Sequence, residues 1–237
     1  MQKFITVRHM GSYKANGSKM RPDRNNTGYP CSTSELLKAK TLEYKLKNKV
    51  EPLLKRGRPG DYEHTLRAVA YGSLLLKHEI GQRKIVIPAL YLHDIGWSKV
   101  NFMDFLRSPS FATKRQCVSL ADHMEYGALM AREILEEMQY DKKLINIITS
   151  IIAIHDYPEA IFSMKNSSAT IITESDRLDR YGLAGRRRVN ELFQFKNHNE
   201  KQCIGIDQGL RQGLDKWFRT ETARNLAMKW QKKRRRI

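Results

Sequence analysis

The chain has 237 residues, 41% of them hydrophobic, with 43 Lys and Arg against 25 acidic residues and a net charge of +18. That length supports one domain with extensions, and no apolar run reaches the roughly 18 residues that a membrane span needs. The charge excess calls for anionic partners: phosphorylated small molecules, nucleic acid or an acidic surface.

Residues 1–31 are rich in Gly, Asn, Lys and Arg and lack periodicity, so they read as a basic, disordered segment with no signal-peptide core. Cys31, Cys117 and Cys203 are odd in number and form no CxxC pair, which argues against a disulfide framework or zinc finger and for a reducing cytoplasm. Order is expected to begin near Ser32, where "STSE" reads as a capping box for the helix "ELLKAKTLEYKLKNKVEPLLKR". After the breaker "GRPGD", Asp61 is placed to cap a second helix, "YEHTLRAVAYGSLLLKHEIG", stopping at Gly81. The third helix is "PALYLHDIG", with Pro88 in its first turn, preceded by a short β-branched run at 84–87. "SLADHMEYGALMAREILEEMQY", "KKLINIITSIIAIHDY" (ending before Pro158) and "ATIITESDRLDRYG" follow. Beyond Gly185, "RRVNELFQF" and "IDQGLRQGLDKWFRTETARNLAMKWQ" also read as helical, with Trp217 and Trp230 as packing residues. No alternating strand pattern occurs, so the predicted fold class is all-α. The predicted organisation is a basic segment over 1–31, a helical core over 32–185, and C-terminal helices with a basic tail over 186–237.

Four of the seven histidines, His64, His93, His123 and His155, fall on four successive predicted helices. Asp94 adjoins His93, Asp156 adjoins His155, and Asp176 lies on the next helix. Four imidazoles and several carboxylates suit one or two divalent transition ions (Mn, Fe, Co, Ni or Zn), provided each side chain faces the bundle interior. The competing reading, scattered surface histidines, weakens because each lies near the apolar stripe of its own helix.

The ordered motifs "EHTLR … LHDIG … DHMEYG … IHDYP … SDRLDRYG" resemble the HD-domain superfamily of metal-dependent phosphohydrolases, over 51–185. The resemblance implies an HD-domain helical bundle in which His64, His93, Asp94 and Asp176 bind the core metal. It adds His123 and His155 for a second ion, with Asp94 bridging. Trp97 stands where many relatives have Lys, with Lys99 two residues later, and "TES" replaces the commoner "DA" before Asp176. The implied activity is hydrolysis of a phosphate ester of a small metabolite or nucleotide by metal-activated water. Asp94, Arg67 and Lys99 are the catalytic candidates, and Arg67, Lys99, Arg177 and Arg180 the phosphate contacts. Glu125 and Asp156 are candidates for orienting the ligand imidazoles, while Asp179 is expected to cap or pair locally. Two other functions remain open: a di-iron oxygenase using the same ligands, and a nucleic-acid-binding protein with a structural metal, using the basic tail at 232–236.

Overall fold

The computed structural model describes residues 33–107, 118–194, 209 and 212–234. The expectations for 1–31, for Ser32 and for residues 235–236 of the basic tail lie outside the described residues. Within them the fold is all-α, without strands, and no described helix is long and apolar enough to cross a membrane.

Helix α1 (Thr33–Arg56) buries Leu46, Val50 and Leu54, spaced four apart so that they line one face. The break after it turns through Gly60, whose φ of 75° is open to glycine at little cost. Gly60, not Asp61, is the N-cap of α2 (Asp61–Leu75). The buried Asp61 carboxylate turns back to accept the Arg58 backbone N–H at 2.8 Å and the Arg58 Nε at 3.0 Å, and it pairs with Arg188 as well. Asp61 therefore ties the loop to a distant helix instead of capping its own. Helix α2 also ends six residues before the expected Gly81. Its buried stripe stops at Leu76, and exposed Lys77 and His78 close a turn on Leu74 and Leu75.

Helix α3 (Arg83–Leu92) begins five residues before Pro88 and absorbs the β-branched run. All its residues from Ile85 to Leu92 are buried, so packing decides the conformation where propensity would not. Pro88 lacks the N–H that would bond to Lys84 four residues back. The Tyr140 hydroxyl donates to that Lys84 carbonyl instead, at 2.6 Å, so the proline sits inside the helix without orphaning an acceptor.

A 3₁₀ turn (Ile95–Lys99) and the short α4 (Phe102–Arg107) follow. Helix α5 covers Val118–Glu137, and α6 (Lys142–Ile152) starts where the Asp141 carboxylate accepts the N–H groups of Lys143 and Leu144. Helix α6 stops at Ile152, so His155 stands in a turn and not on the predicted helix; α7 (Pro158–Ser163) then starts on its proline. Helix α8 (Ser167–Tyr181) is capped by Asn166 and buried along nearly its whole length. It packs against α2, α3, α7, α9 (Leu183–Gln194) and the C-terminal helices α10 (Leu214–Trp217) and α11 (Glu221–Arg234).

The last predicted helix is split. Phe218 is extended, and the next two N–H groups leave the helical pattern to reach Glu174 on α8. The Glu174 carboxylate accepts the N–H of Arg219 at 2.5 Å, the N–H of Thr220 at 2.8 Å and the Thr220 hydroxyl at 2.5 Å. Burial pushes the Glu174 carboxyl up in pKa, against the pull of those donors. Trp230, half-buried, packs on Tyr71, as expected of a packing residue. Glu174→Ala is expected to lower stability by about 1–3 kcal/mol, because three donors lose their acceptor. Urea denaturation followed by circular dichroism checks this.

Candidate metal centre

The fold draws the predicted side chains to one place from five segments. His64 lies in the first turn of α2, His93 caps the end of α3, and Asp94 follows it in the φ −102°, ψ 2° conformation that starts the 3₁₀ turn. His123 comes from α5, His155 and Asp156 from the turn after α6, and Asp176 from α8. His64, His93, His123, His155, Asp94 and Asp176 are all at most 5% exposed.

Asp94 is the hub. Its Oδ2 stands 3.4 Å from His93 Nε2 and 3.5 Å from His64 Nε2, while its Oδ1 lies 3.7 Å from His155 Nε2 and 4.0 Å from His123 Nε2. Asp176 Oδ1 is 3.1 Å from His64 Nε2 and 3.9 Å from His93 Nε2. Two sets of three donors result, His64–His93–Asp94 and Asp94–His123–His155, with the donor atoms of each within 4.8 Å of one another.

Three of the imidazoles are aimed by their other nitrogen. His64 Nδ1 donates to Asp179 at 2.8 Å. His93 Nδ1 donates to the Leu90 carbonyl and His155 Nδ1 to the Ile152 carbonyl, each at 2.8 Å. The last carbonyls of a helix lack intrahelical partners, so the ends of α3 and α6 each supply an acceptor three residues before a histidine. In the neutral ring a proton on Nδ1 leaves the lone pair on Nε2, the atom that faces the carboxylates.

The charges are balanced from inside the protein. Burial opposes ionisation of Asp94, yet the Arg58 guanidinium, donating to Oδ2, and His93 hold its carboxyl well below the usual range. Arg177 and His64 do the same for Asp176, and Arg177, which pairs with Asp156, does it for Asp156. His93 is raised to about 9: burial lowers it, but Asp94 and Asp176 outweigh that. His123 is pushed down to about 3 by burial, only partly offset by Asp156, whose Oδ2 is 3.5 Å from His123 Nε2. Among the described residues neither His123 nitrogen has a hydrogen-bond partner. Buried polar atoms rarely stay orphaned, and a cation at His123 would satisfy one of them. Nitrogen and carboxylate donors of this mixture suit a divalent transition ion.

The remaining candidates fall in different places. Arg177 is buried, paired with Asp156, 3.4 Å from Asp176 and stacked over Trp217 at 3.7 Å. Trp217 thus does more than pack its own helix. Arg180 sits close enough to the cluster that burial and the neighbouring Arg177 push it down to about 10. Arg67 is beside His64, but its guanidinium grips Asp179 through two bonds, at 2.6 and 3.0 Å. Asp179 accordingly reaches across the bundle to His64 and Arg67, where a local cap or pair was expected. Lys99 is exposed at the end of the 3₁₀ turn. Positions three apart eclipse in such a turn, so Trp97 shares the side of Asp94 while Lys99 stands over Gly96. Glu125 is exposed, two residues and roughly half a turn of α5 away from His123.

Sequence reasoning passed over Arg58, because its partners Asp61 and Asp94 lie across a break. Asp179 did carry a signal, its position one helical turn after Asp176.

The HD domain family model matches residues 61–181. This chain belongs to the HD domain family. Among solved structures it is similar to a predicted HD superfamily hydrolase from an uncultured Thermotogales bacterium. The two are 23% identical with a TM-score of 0.49, over 78% of this chain and 83% of that one. No curated protein matches the chain. Asp179→Asn is expected to weaken Mn²⁺ binding about 10–100-fold, the usual effect of losing a partner that orients a ligand histidine. Calorimetric titration at unchanged helical content measures it.

Proposed function

We propose that this HD domain hydrolyses a phosphate ester of a small phosphorylated metabolite or nucleotide with the help of one or two divalent ions. The observation that carries the reading is the sharing of one buried carboxylate, Asp94, by two sets of imidazole donors. In this reading His64, His93, Asp94 and Asp176 hold the first ion, and Asp94, His123 and His155 the second. Bound divalent ions lower the pKa of a coordinated water from 15.7 to about 7 and neutralise charge on phosphoryl oxygens.

The chain's own residues do the positioning. Asp179 keeps the proton of His64 on Nδ1, and Arg67 fixes Asp179 in turn. We assign Arg67 this supporting role and leave Lys99 outside the reaction. Arg177 and Arg180 bring two guanidinium groups to the edge of the carboxylate cluster. Their planar forks match phosphoryl oxygens, with Trp217 holding the plane of Arg177. Burial of the cluster excludes bulk water and strengthens every charge–charge interaction within it.

A screen of phosphate esters with Mn²⁺-loaded protein is expected to give inorganic phosphate, abolished by chelator and restored by added metal. Asp94→Ala and His93→Ala are each expected to lose the activity, by at least about 10³-fold, while staying helical. Full activity in purified Asp94→Ala would overturn the proposal. Iron-dependent oxygen uptake without phosphate release would replace it with the oxygenase reading.

A further inference from the structure

His123 is the exception among the four imidazoles. His64, His93 and His155 each have Nδ1 on an oxygen at 2.8 Å, whereas His123 Nδ1 has no acceptor among the described residues. Its ring is completely buried and, among the described residues, makes no hydrogen bond. The Trp97 indole lies against it with ring centres 4.2 Å apart and planes 16° apart, a parallel stack. Trp97 is itself held: the Arg58 guanidinium lies 4.3 Å from its ring centre, and Phe102 meets it edge-on at 5.8 Å.

The backbone beneath is fixed as tightly. A Cβ on Gly96 would stand 1.9 Å from the His123 carbonyl oxygen and 2.6 Å from the Gly127 nitrogen, so the 3₁₀ turn and α5 touch backbone to backbone. The turn therefore places the Cα of His123 through Gly96 and its ring plane through Trp97.

A stack and a hydrogen bond differ in what they fix. Stacking sets the plane of an imidazole, but it neither selects the nitrogen that carries the proton nor raises the basicity of the other. Losing that second function typically costs 10–100-fold in metal affinity. We propose that Trp97 is the positioning residue for His123, and that Asp94–His123–His155 is the weaker of two metal positions, filled second. The inference rests on the reading that this cluster holds metal, and it adds an unequal division of labour within it.

The test is a titration of the metal-free, full-length protein with Co²⁺, followed by visible absorption and by metal content after desalting. The wild type is expected to fill in two steps separated by about 10–100-fold. His123→Ala should remove the second step and keep the first. Trp97→Met, which keeps an apolar contact without a ring plane, should weaken the second step at least about tenfold and leave the first within about threefold; Trp97→Phe, which keeps a ring, should lie near wild type. An unchanged second step in Trp97→Met, or equal weakening of both steps, would overturn the inference while leaving the metal reading intact. If Trp97→Met loses its helical signal, the other proteins decide. A single unresolved step in the wild type, or loss of the first step in His123→Ala, would then overturn it. No Co²⁺ bound by the wild type would remove the metal reading itself.

Discussion

A carboxylate in the middle of a protein is a demand on everything around it. Transferring Asp94 from water costs several kcal/mol even after relaxation, and one partner in good geometry barely offsets that. Here a guanidinium and four imidazoles converge on its two oxygens. Meeting that demand fixes the relative placement of α2, the end of α3, α5, the turn after α6 and the loop before α2. Displacement of any one would leave a buried charge short of a partner, and this couples bundle packing to the geometry of the site.

Much of this was legible in the sequence where period and composition spoke together. The all-α class followed from helical spacing, and the grouping of His64, His93, His123 and His155 was suggested by polar residues near apolar stripes, although His155 stands in a turn. The errors share a cause: they occur where a distant group takes over a local backbone duty. Pro88 reads as a helix start because nothing nearby announces that Tyr140, 52 residues on, accommodates the spare carbonyl. The C-terminal segment reads as continuous until Glu174 captures the N–H groups of Arg219 and Thr220. Asp61 reads as a cap until Arg58 and Arg188 claim it. The hold of Asp179 on Arg67 is equally invisible locally, because Asp179 lies on another helix.

A local device recurs in the site. "LHD" at 92–94 and "IHD" at 154–156 each follow a helix end, and each histidine donates Nδ1–H to the carbonyl three residues back. Each aspartate is matched by an arginine from elsewhere, Asp94 by Arg58 and Asp156 by Arg177. Backbone acceptors of this kind come with the helix and require no further side chain. The orientation of two imidazoles is thereby written into where two helices stop.

The Arg58–Asp94 pair also bears on how the bundle accommodates its own acids. An internal guanidinium shares the hub carboxylate with the imidazoles, so part of its charge is met by the polypeptide itself. Counter-charge for the hub is thus inherited with the polypeptide, from a loop that lies outside the histidine motifs of the site.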